Sequence, residues 1–263
     1  MLKEKIEDCR LCGKKTDSIF NLKILSKYIV EYRKCTYCDS IQTQNPYWLD
    51  EVYATNNLSH LDTGAVQRNL KNLAVTYLLS KLLNVEKILD VGGGDGLLCR
   101  LLRDYEVDCY INDKYATPTY AQSFLTQSFE KTEMYLAFEV LEHFSNPEHE
   151  IDKLFNHRPN AILVSTELYR NQRKSWWYFS PESGQHLFFY SKKAFEYIAQ
   201  KYNYNVTFFG KYILLSKKDY ICSLVRSILP IILNKYTIPF IRIFIVLLPT
   251  HGVIKDRDRL IKE

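Results

Sequence analysis

The sequence lacks several features that would assign it to a large class of proteins. None of its 263 residues falls in an uninterrupted apolar run long enough for a membrane-spanning helix, which needs about 18 such residues. Residues 1–9 are charged and lack the apolar core of a signal peptide. Internal repeats and low-complexity tracts are also missing. We therefore expect a cytoplasmic protein with an ordinary buried core.

A concentrated basic surface is absent as well. Lys and Arg total 35 and Asp and Glu total 30, which gives a formal net charge of +5 without long runs of like charge. Proteins that bind nucleic acid usually carry a basic patch or stripe. We therefore expect no nucleic-acid partner and a small-molecule substrate.

Cysteine is present in a specific pattern. Four of the seven cysteines form two C-x-x-C pairs, Cys9 with Cys12 and Cys35 with Cys38. Without an export signal this pattern favours a metal site over disulfides, with reduced free thiols as the alternative. The 22 intervening residues allow the two turns to fold around one tetrahedral ion. Since protein would fill all four positions, the sequence predicts a structural Zn²⁺ rather than a catalytic one.

The pattern along the chain separates four regions. We predict a zinc-ribbon-like module at residues 1–45, a linker and leading helix at 46–84, an α/β domain at 85–218 and a helical C-terminal arm at 219–263. Alternating strands and helices in the third region predict a mostly parallel sheet covered on both faces. The last two strands flank Gly210-Lys211 as a hairpin, so the sheet should end in an antiparallel strand. Other predicted strands are Lys87–Val91, Cys109–Ile111, Phe124–Phe129, Met134–Phe138 and Ala161–Thr166.

A glycine-rich turn follows the first of these strands. Glycines at Gly92, Gly94 and Gly96 let the backbone turn sharply and leave bare main chain for a ligand. A dinucleotide site needs a further glycine where Leu97 stands, and the Gly-Lys-Ser/Thr of a P-loop is absent. The turn therefore predicts a nucleotide-type cofactor of another kind.

Two carboxylates flank this turn and indicate the charge of that cofactor. Asp90 and Asp95 would repel a pyrophosphate at the helix N-terminus. They suit a cofactor without phosphate that carries positive sulfonium and ammonium groups, namely S-adenosylmethionine. Asp113, about 20 residues after the turn, is expected to take the ribose hydroxyls.

The D-x-G-x-G-x-G arrangement resembles the first motif of class I methyltransferases, and the resemblance covers about residues 60–216. It implies a Rossmann-like sheet that binds S-adenosylmethionine through Asp90 and the three glycines. The segment at 138–144 is similar to the E-x-L-E-H run of small-molecule members of the family. That similarity implies that Glu139 and His143 face cofactor and substrate.

An aromatic segment at residues 176–190 contains one further histidine, His186. Aromatic faces stack on sugar rings or nucleobases, and histidine accepts a proton near neutral pH. We expect His186 to be the catalytic base and His143 the second candidate. The run from Gly184 to Ser191 resembles a segment of the same small-molecule methyltransferases. A purely structural aromatic lid is the alternative.

The cysteine pairs ahead of a class I domain resemble sugar methyltransferases that act on nucleotide-linked deoxysugars and bacterial surface-polysaccharide (capsule) precursors. This implies methyl transfer to an oxygen of such a precursor, phosphate-type oxygens included. Three alternatives stay open: a sugar C-methyltransferase, an RNA or protein methyltransferase, and a non-catalytic zinc-ribbon interaction protein with a degenerate Rossmann-like domain.

The arm at 219–263 is apolar but is interrupted by Arg226, Lys235 and Arg242. Such a pattern suits a helix buried against the domain or against a second subunit in a homodimer, or a weak contact with a membrane surface. We favour burial, because amphipathic helices usually pack on protein.

Overall fold

The structure is a computed structural model that describes residues 7–54 and 62–262. The strands in chain order are β1 (Thr16–Ile24), β2 (Tyr28–Cys35), β3 (Ile41–Thr43), β4 (Lys87–Val91), β5 (Asp108–Asn112), β6 (Met134–Phe138), β7 (Ala161–Ser165), β8 (Phe188–Phe189), β9 (Tyr204–Phe209) and β10 (Tyr212–Lys217). The α-helices are α1 (Leu49–Ala54), α2 (Ala65–Leu82), α3 (Leu97–Asp104), α4 (Pro147–Asn156), α5 (Lys192–Tyr202), α6 (Ser223–Ile232), α7 (Thr237–Val246) and α8 (His251–Leu260).

The chain forms two compact units. The first, here the N-terminal unit, comprises the described residues within 1–63, 139–156 and 166–202, and the second, the α/β unit, comprises those within 64–138, 157–165 and 203–263. Each unit collects segments that are far apart along the chain. The four regions expected from the sequence stay a prediction.

The α/β unit is built on a six-stranded sheet in the order β5-β4-β6-β7-β10-β9. Strands β5, β4, β6 and β7 are mutually parallel, and β10 runs antiparallel to both β7 and β9. Apolar runs such as Ala161–Ser165 are buried throughout, as is typical of strands covered on both faces. The expected Rossmann-like, mostly parallel sheet with an antiparallel last strand is confirmed.

One strand expected from the sequence is not formed. The prediction of a strand at Phe124–Phe129 was wrong, because this stretch contributes only the end of a 3-10 helix (Gln122–Phe124) and a single parallel bridge between Ile111 and Leu125. The hydroxyl of Thr126 accepts a hydrogen bond from the Ser128 amide at 3.1 Å, and the Ser128 hydroxyl accepts one from the Glu130 amide at 3.2 Å. These local bonds engage amides that a strand ladder would need.

The C-terminal arm packs on the α/β unit. Helix α7 lies against α2, and α8 lies against α3. The crossing of α8 and α3 is close, because a Cβ at Gly252 would meet the carbonyl oxygen of Arg103 at 1.8 Å. The guanidinium of Arg103 also donates two hydrogen bonds to the carboxylate of Asp256, at 2.8 and 2.7 Å. The helical arm and its burial against the domain therefore agree with expectation.

The other face of the arm is apolar and exposed. Among the described residues no helix is by itself long and apolar enough to cross a bilayer; α6 and α7 reach that threshold only when taken together across an 87° bend. The most exposed apolar side chains of α6 and α7 are Leu224, Ile231, Phe240, Phe244 and the following Leu247. A second subunit or a membrane surface as the partner of this face stays a prediction.

The N-terminal unit has its own antiparallel sheet in the order β1-β2-β3-β8. Its outer strand β8 comes from the late aromatic segment, and Ile41 pairs with Phe189. The core beneath the sheet is rich in aromatic side chains, including Tyr32, Trp48, Tyr178, Phe179 and Phe189. Helix α5 begins after Ser191, whose hydroxyl accepts a hydrogen bond from the Ala194 amide at 3.0 Å and so caps the helix N-terminus.

Candidate functional site

The glycine turn lies in the α/β unit, between the end of β4 and the start of α3. Gly92, Gly94 and Gly96 have φ values of +69°, +59° and +82°, a left-handed backbone that side chains other than glycine adopt at a cost. A Cβ at Gly94 would meet nothing within 4 Å, whereas one at Gly96 would lie 2.9 Å from the Cβ of Ala121. The turn therefore presents open main chain at Gly94 and close packing at Gly96.

Two carboxylates border this turn. Asp113 accepts a hydrogen bond from the Gly94 amide at 2.9 Å, so the end of β5 is joined to the turn. Asp90 is buried, and its Oδ2 has no hydrogen-bond partner among the described residues. Burial, with the neighbouring charges of Asp113 and Asp95, raises the pKa of Asp90 to about 7. A buried carboxylate oxygen without a donor suits a cationic ligand beside the open backbone.

Glu139 and His143, which the sequence places after the strand at Met134–Phe138, lie in the N-terminal unit. A 3-10 helix, Leu141–His143, places Glu142 and His143 in succession, and the ring of His186 lies 4.9 Å from that of His143, edge to face. One donor atom from each of Glu142, His143 and His186 lies within 4.8 Å of the other two. The structure thus brings together the two histidines that the sequence predicted as catalytic.

Both histidines are held by backbone carbonyls. Nδ1 of His143 lies 3.1 Å from the carbonyl oxygen of Gln185, and Nδ1 of His186 lies 2.7 Å from that of Tyr178. Because a carbonyl oxygen only accepts, each Nδ1 carries the proton and each Nε2 keeps a lone pair. Burial lowers the pKa of both rings, that of His143 to about 3. Both imidazoles are therefore neutral near pH 7.

A tyrosine hydroxyl lies among the carboxylates. The Tyr178 hydroxyl is 2.5 Å from Oε1 of Glu142, 3.2 Å from Oε2 of Glu139 and 3.0 Å from the hydroxyl of Thr166. Glu142 is fully buried, and its Oε2 lacks a hydrogen-bond partner among the described residues. Burial and the charge of Glu139 raise the pKa of Glu142 above its ordinary value. Glu142 and Tyr178 were not among the predicted site residues, although Glu142 stands directly before His143 in the quoted motif.

The four paired cysteines converge at one point of the N-terminal unit. The Sγ atoms of Cys9 and Cys38 are 3.7 Å apart, and those of Cys12 and Cys35 are 3.5 Å apart. A tetrahedral ion bound at about 2.3 Å by four thiolates requires sulfur atoms about 3.8 Å apart. The amides of Tyr37 and Cys38 point to the Cys35 sulfur at 3.4 Å, as expected of a sulfur that carries negative charge. The set fits a four-thiolate metal site.

A family model described as "Methyltransferase domain" matches residues 63–207 of the chain, more than half of its length. No protein of curated function matches by sequence.

Several solved structures resemble the chain. The methyltransferase domain of bacterial CtHen1-C is 21% identical, with a TM-score of 0.41 over 57% of this chain and 98% of that one. Human N-acetylserotonin methyltransferase in complex with SAM is 15% identical, with a TM-score of 0.43 over 56% of this chain and 51% of that one. Magnesium protoporphyrin IX methyltransferase from Synechocystis PCC 6803 with bound SAH is 12% identical, with a TM-score of 0.44 over 58% of this chain and 83% of that one.

Proposed function

Because the chain belongs to the methyltransferase-domain family that its residues 63–207 match, we propose that it transfers a methyl group from S-adenosylmethionine to a small-molecule acceptor. The observation that carries the cofactor assignment is the buried Oδ2 of Asp90, which lacks a donor beside the open backbone of Gly94. S-adenosylmethionine supplies an electrophilic methyl group on a positively charged sulfur. Asp90 would offset that positive charge. The carboxylate of Asp113, which already accepts a hydrogen bond from the Gly94 amide, would also accept hydrogen bonds from the ribose hydroxyls.

The acceptor, in this proposal, is an oxygen of a nucleotide-linked sugar or of a surface-polysaccharide (capsule) precursor, with phosphate-type oxygens included. Support comes from the ring of Trp177, which is 70% exposed and lies 5.3 Å from the buried ring of Tyr178, itself 4.6 Å from the ring of His186. Aromatic faces of this kind stack on sugar rings. His186, and secondly His143, would orient the acceptor hydroxyl or take its proton through the free Nε2 lone pair. Glu139 as a cofactor contact stays a prediction.

Zinc completes the proposal. The convergent thiols of Cys9, Cys12, Cys35 and Cys38 would hold one Zn²⁺, which stabilises the N-terminal unit and leaves no open position for chemistry. Reduced thiols agree with a cytoplasmic location, and nucleic acid is not among the proposed partners.

Calorimetry with S-adenosylmethionine and its demethylated product tests the cofactor. We expect micromolar-range binding by the wild type and none by Gly94→Leu, because leucine would fill the ligand's space and strain a left-handed backbone. Preferential binding of NAD would refute the assignment. A screen of sugar nucleotides with labelled cofactor then tests the acceptor. A methylated carbon as the product favours the C-methyltransferase alternative, and cofactor binding without any transfer favours the non-catalytic one.

A further inference from the structure

We propose that Glu142, His143 and His186 bind a divalent transition-metal ion at a second metal site of the chain, separate from the four cysteines. The three side chains each offer one donor atom, and these atoms lie within 4.8 Å of one another. Ligands about 2.1 Å from a tetrahedral ion are about 3.4 Å apart. An ion therefore requires these donor atoms to draw together by at most about 1.4 Å.

The histidines are already in the protonation form of metal ligands. Each Nδ1–H donates to a backbone carbonyl, that of Gln185 for His143 and that of Tyr178 for His186. Histidines that bind metals usually make this bond, since it fixes the ring and directs the Nε2 lone pair to the ion. One imidazole would be enough to accept a proton. Two imidazoles, each with a free Nε2 lone pair, within 4.8 Å of a carboxylate oxygen favour a metal instead.

The carboxylate of Glu142 supplies the second, independent observation. It is 0% exposed and its Oε2 has no hydrogen-bond partner among the described residues, whereas its Oε1 accepts from the Tyr178 hydroxyl at 2.5 Å. A buried anionic oxygen without a partner is costly. A divalent cation bound to Oε2 would offset that cost, and the Tyr178 hydroxyl would orient the carboxylate in the way that outer-sphere partners do.

Two imidazole nitrogens and one carboxylate oxygen suit Zn²⁺, Mn²⁺, Fe²⁺ or Co²⁺, and three protein ligands leave coordination positions open. The use of such an ion in catalysis rests on the proposed function. The ion would hold the acceptor oxygen and lower the pKa of its hydroxyl, so that the proton leaves to water. The oxygen–methyl bond then forms while the sulfur–methyl bond breaks, with its electron pair left on sulfur. His186 acts here as a ligand rather than as the base.

Manganese is the probe, because Mn²⁺ prefers oxygen and nitrogen ligands over thiolates. Zinc-replete full-length protein is titrated with Mn²⁺, and free Mn²⁺ is followed by electron paramagnetic resonance. We expect one bound Mn²⁺ per chain. Glu142→Gln keeps the shape and the Tyr178 contact but removes the charge, and it should weaken binding at least tenfold. His186→Gln should do the same, whereas His149→Gln, at an exposed histidine of α4, should bind as the wild type does.

Wild-type Mn²⁺ affinity in both Glu142→Gln and His186→Gln would overturn the proposal, as would a wild type that binds neither Mn²⁺ nor Co²⁺ beyond the cysteine site. Thermal melts show whether the variants fold. If both fail to fold, the Co²⁺ spectrum of the zinc-replete wild type decides: weak d–d bands without thiolate charge transfer support the site. Binding of the demethylated cofactor is measured on the same samples without Mn²⁺. A wild type that binds Mn²⁺ but not the demethylated cofactor counts against the proposed function. A wild type that binds the demethylated cofactor but not Mn²⁺ counts against the metal site.

Discussion

Replacement of Asp90 by asparagine should change how stability depends on pH. The pKa of Asp90 is raised from 3.8 to about 7, chiefly by burial and then by Asp113 and Asp95. Since the folded pKa is the higher one, the folded state holds a proton that the unfolded chain has already lost. Stability is therefore lost as pH rises, and most of the loss between pH 5 and 8 occurs below pH 7. The loss approaches about 1.4 kcal/mol per pH unit well below pH 7 and falls off above it, so the total from pH 5 to pH 8 is about 3 kcal/mol.

Asp90→Asn has no such titration. In cofactor-free, zinc-loaded protein, the difference in unfolding free energy between variant and wild type should shift by about 3 kcal/mol in the variant's favour from pH 5 to pH 8. Urea unfolding followed by circular dichroism at several pH values measures this. Titrations elsewhere in the chain contribute equally to both proteins and cancel. The same variant should bind S-adenosylmethionine more weakly, because the negative charge beside the turn is gone.

The matched control is Asp95→Asn, since Asp95 lies on the same turn but is exposed. Its carboxylate accepts a hydrogen bond from the Leu97 amide at 3.1 Å, so the change removes a charge and one local bond at the exposed side of the same turn. If the stability difference of Asp90→Asn changes with pH no more than that of Asp95→Asn does, the reasoning from the buried carboxylate is refuted.

Three further predictions concern the other sites. Cys35→Ser should lose zinc and melt at a lower temperature, because the free energy of metal binding at this site also stabilises the fold. Metal analysis checks this, with Cys222→Ser, at an exposed cysteine, as the control. An unchanged zinc content in Cys35→Ser would contradict the prediction. His186→Ala should lower turnover by about 10²–10⁴ with cofactor affinity unchanged, and near wild-type turnover would exclude a role for His186 in catalysis. Asp256→Asn should cost about 3–5 kcal/mol at pH 7 because Arg103 loses its buried partner. Although burial opposes it, the bonds from Arg103 hold the pKa of Asp256 below its ordinary value, so this stabilisation should fade as pH falls. Urea unfolding measures the stability lost in Asp256→Asn, with Asp258→Asn, at an exposed residue, as the control. Equal losses in the two variants would argue against a stabilising contact between Arg103 and Asp256.

The sheet of the α/β unit was largely predictable because its signals are local. The strand at Lys87–Val91 is a short apolar run, and the glycines after it mark its end, because they permit the sharp turn into the next helix. The stretch at Phe124–Phe129 has the aromatic and β-branched residues of a strand, yet its hydroxyls bond to nearby amides instead. The pairing of Ile41 with Phe189 lies beyond any local pattern, since nothing in a two-residue strand specifies its partner.

The candidate site was predicted in part for a similar reason. The spacing of Asp90 and the glycines carries its own chemistry, and the motif that contains His143 made that residue a candidate. The position of His186 beside His143 depends on how two distant segments fold together, which the sequence does not display. Glu142 was overlooked because a glutamate within an apolar segment does not by itself reveal that one of its oxygens is buried without a partner.

Strand β8 also bears on how the protein is made. Strands β1 to β3 leave the ribosome early, but the β3 edge has no partner until Phe188 and Phe189 have been synthesised. An unpaired edge above an aromatic core is a site for wrong pairing and aggregation. Pairing over so long a stretch of chain also slows folding. A fragment that stops at residue 45 would keep this edge open permanently, so the cysteine module is better produced with the rest of the chain than excised.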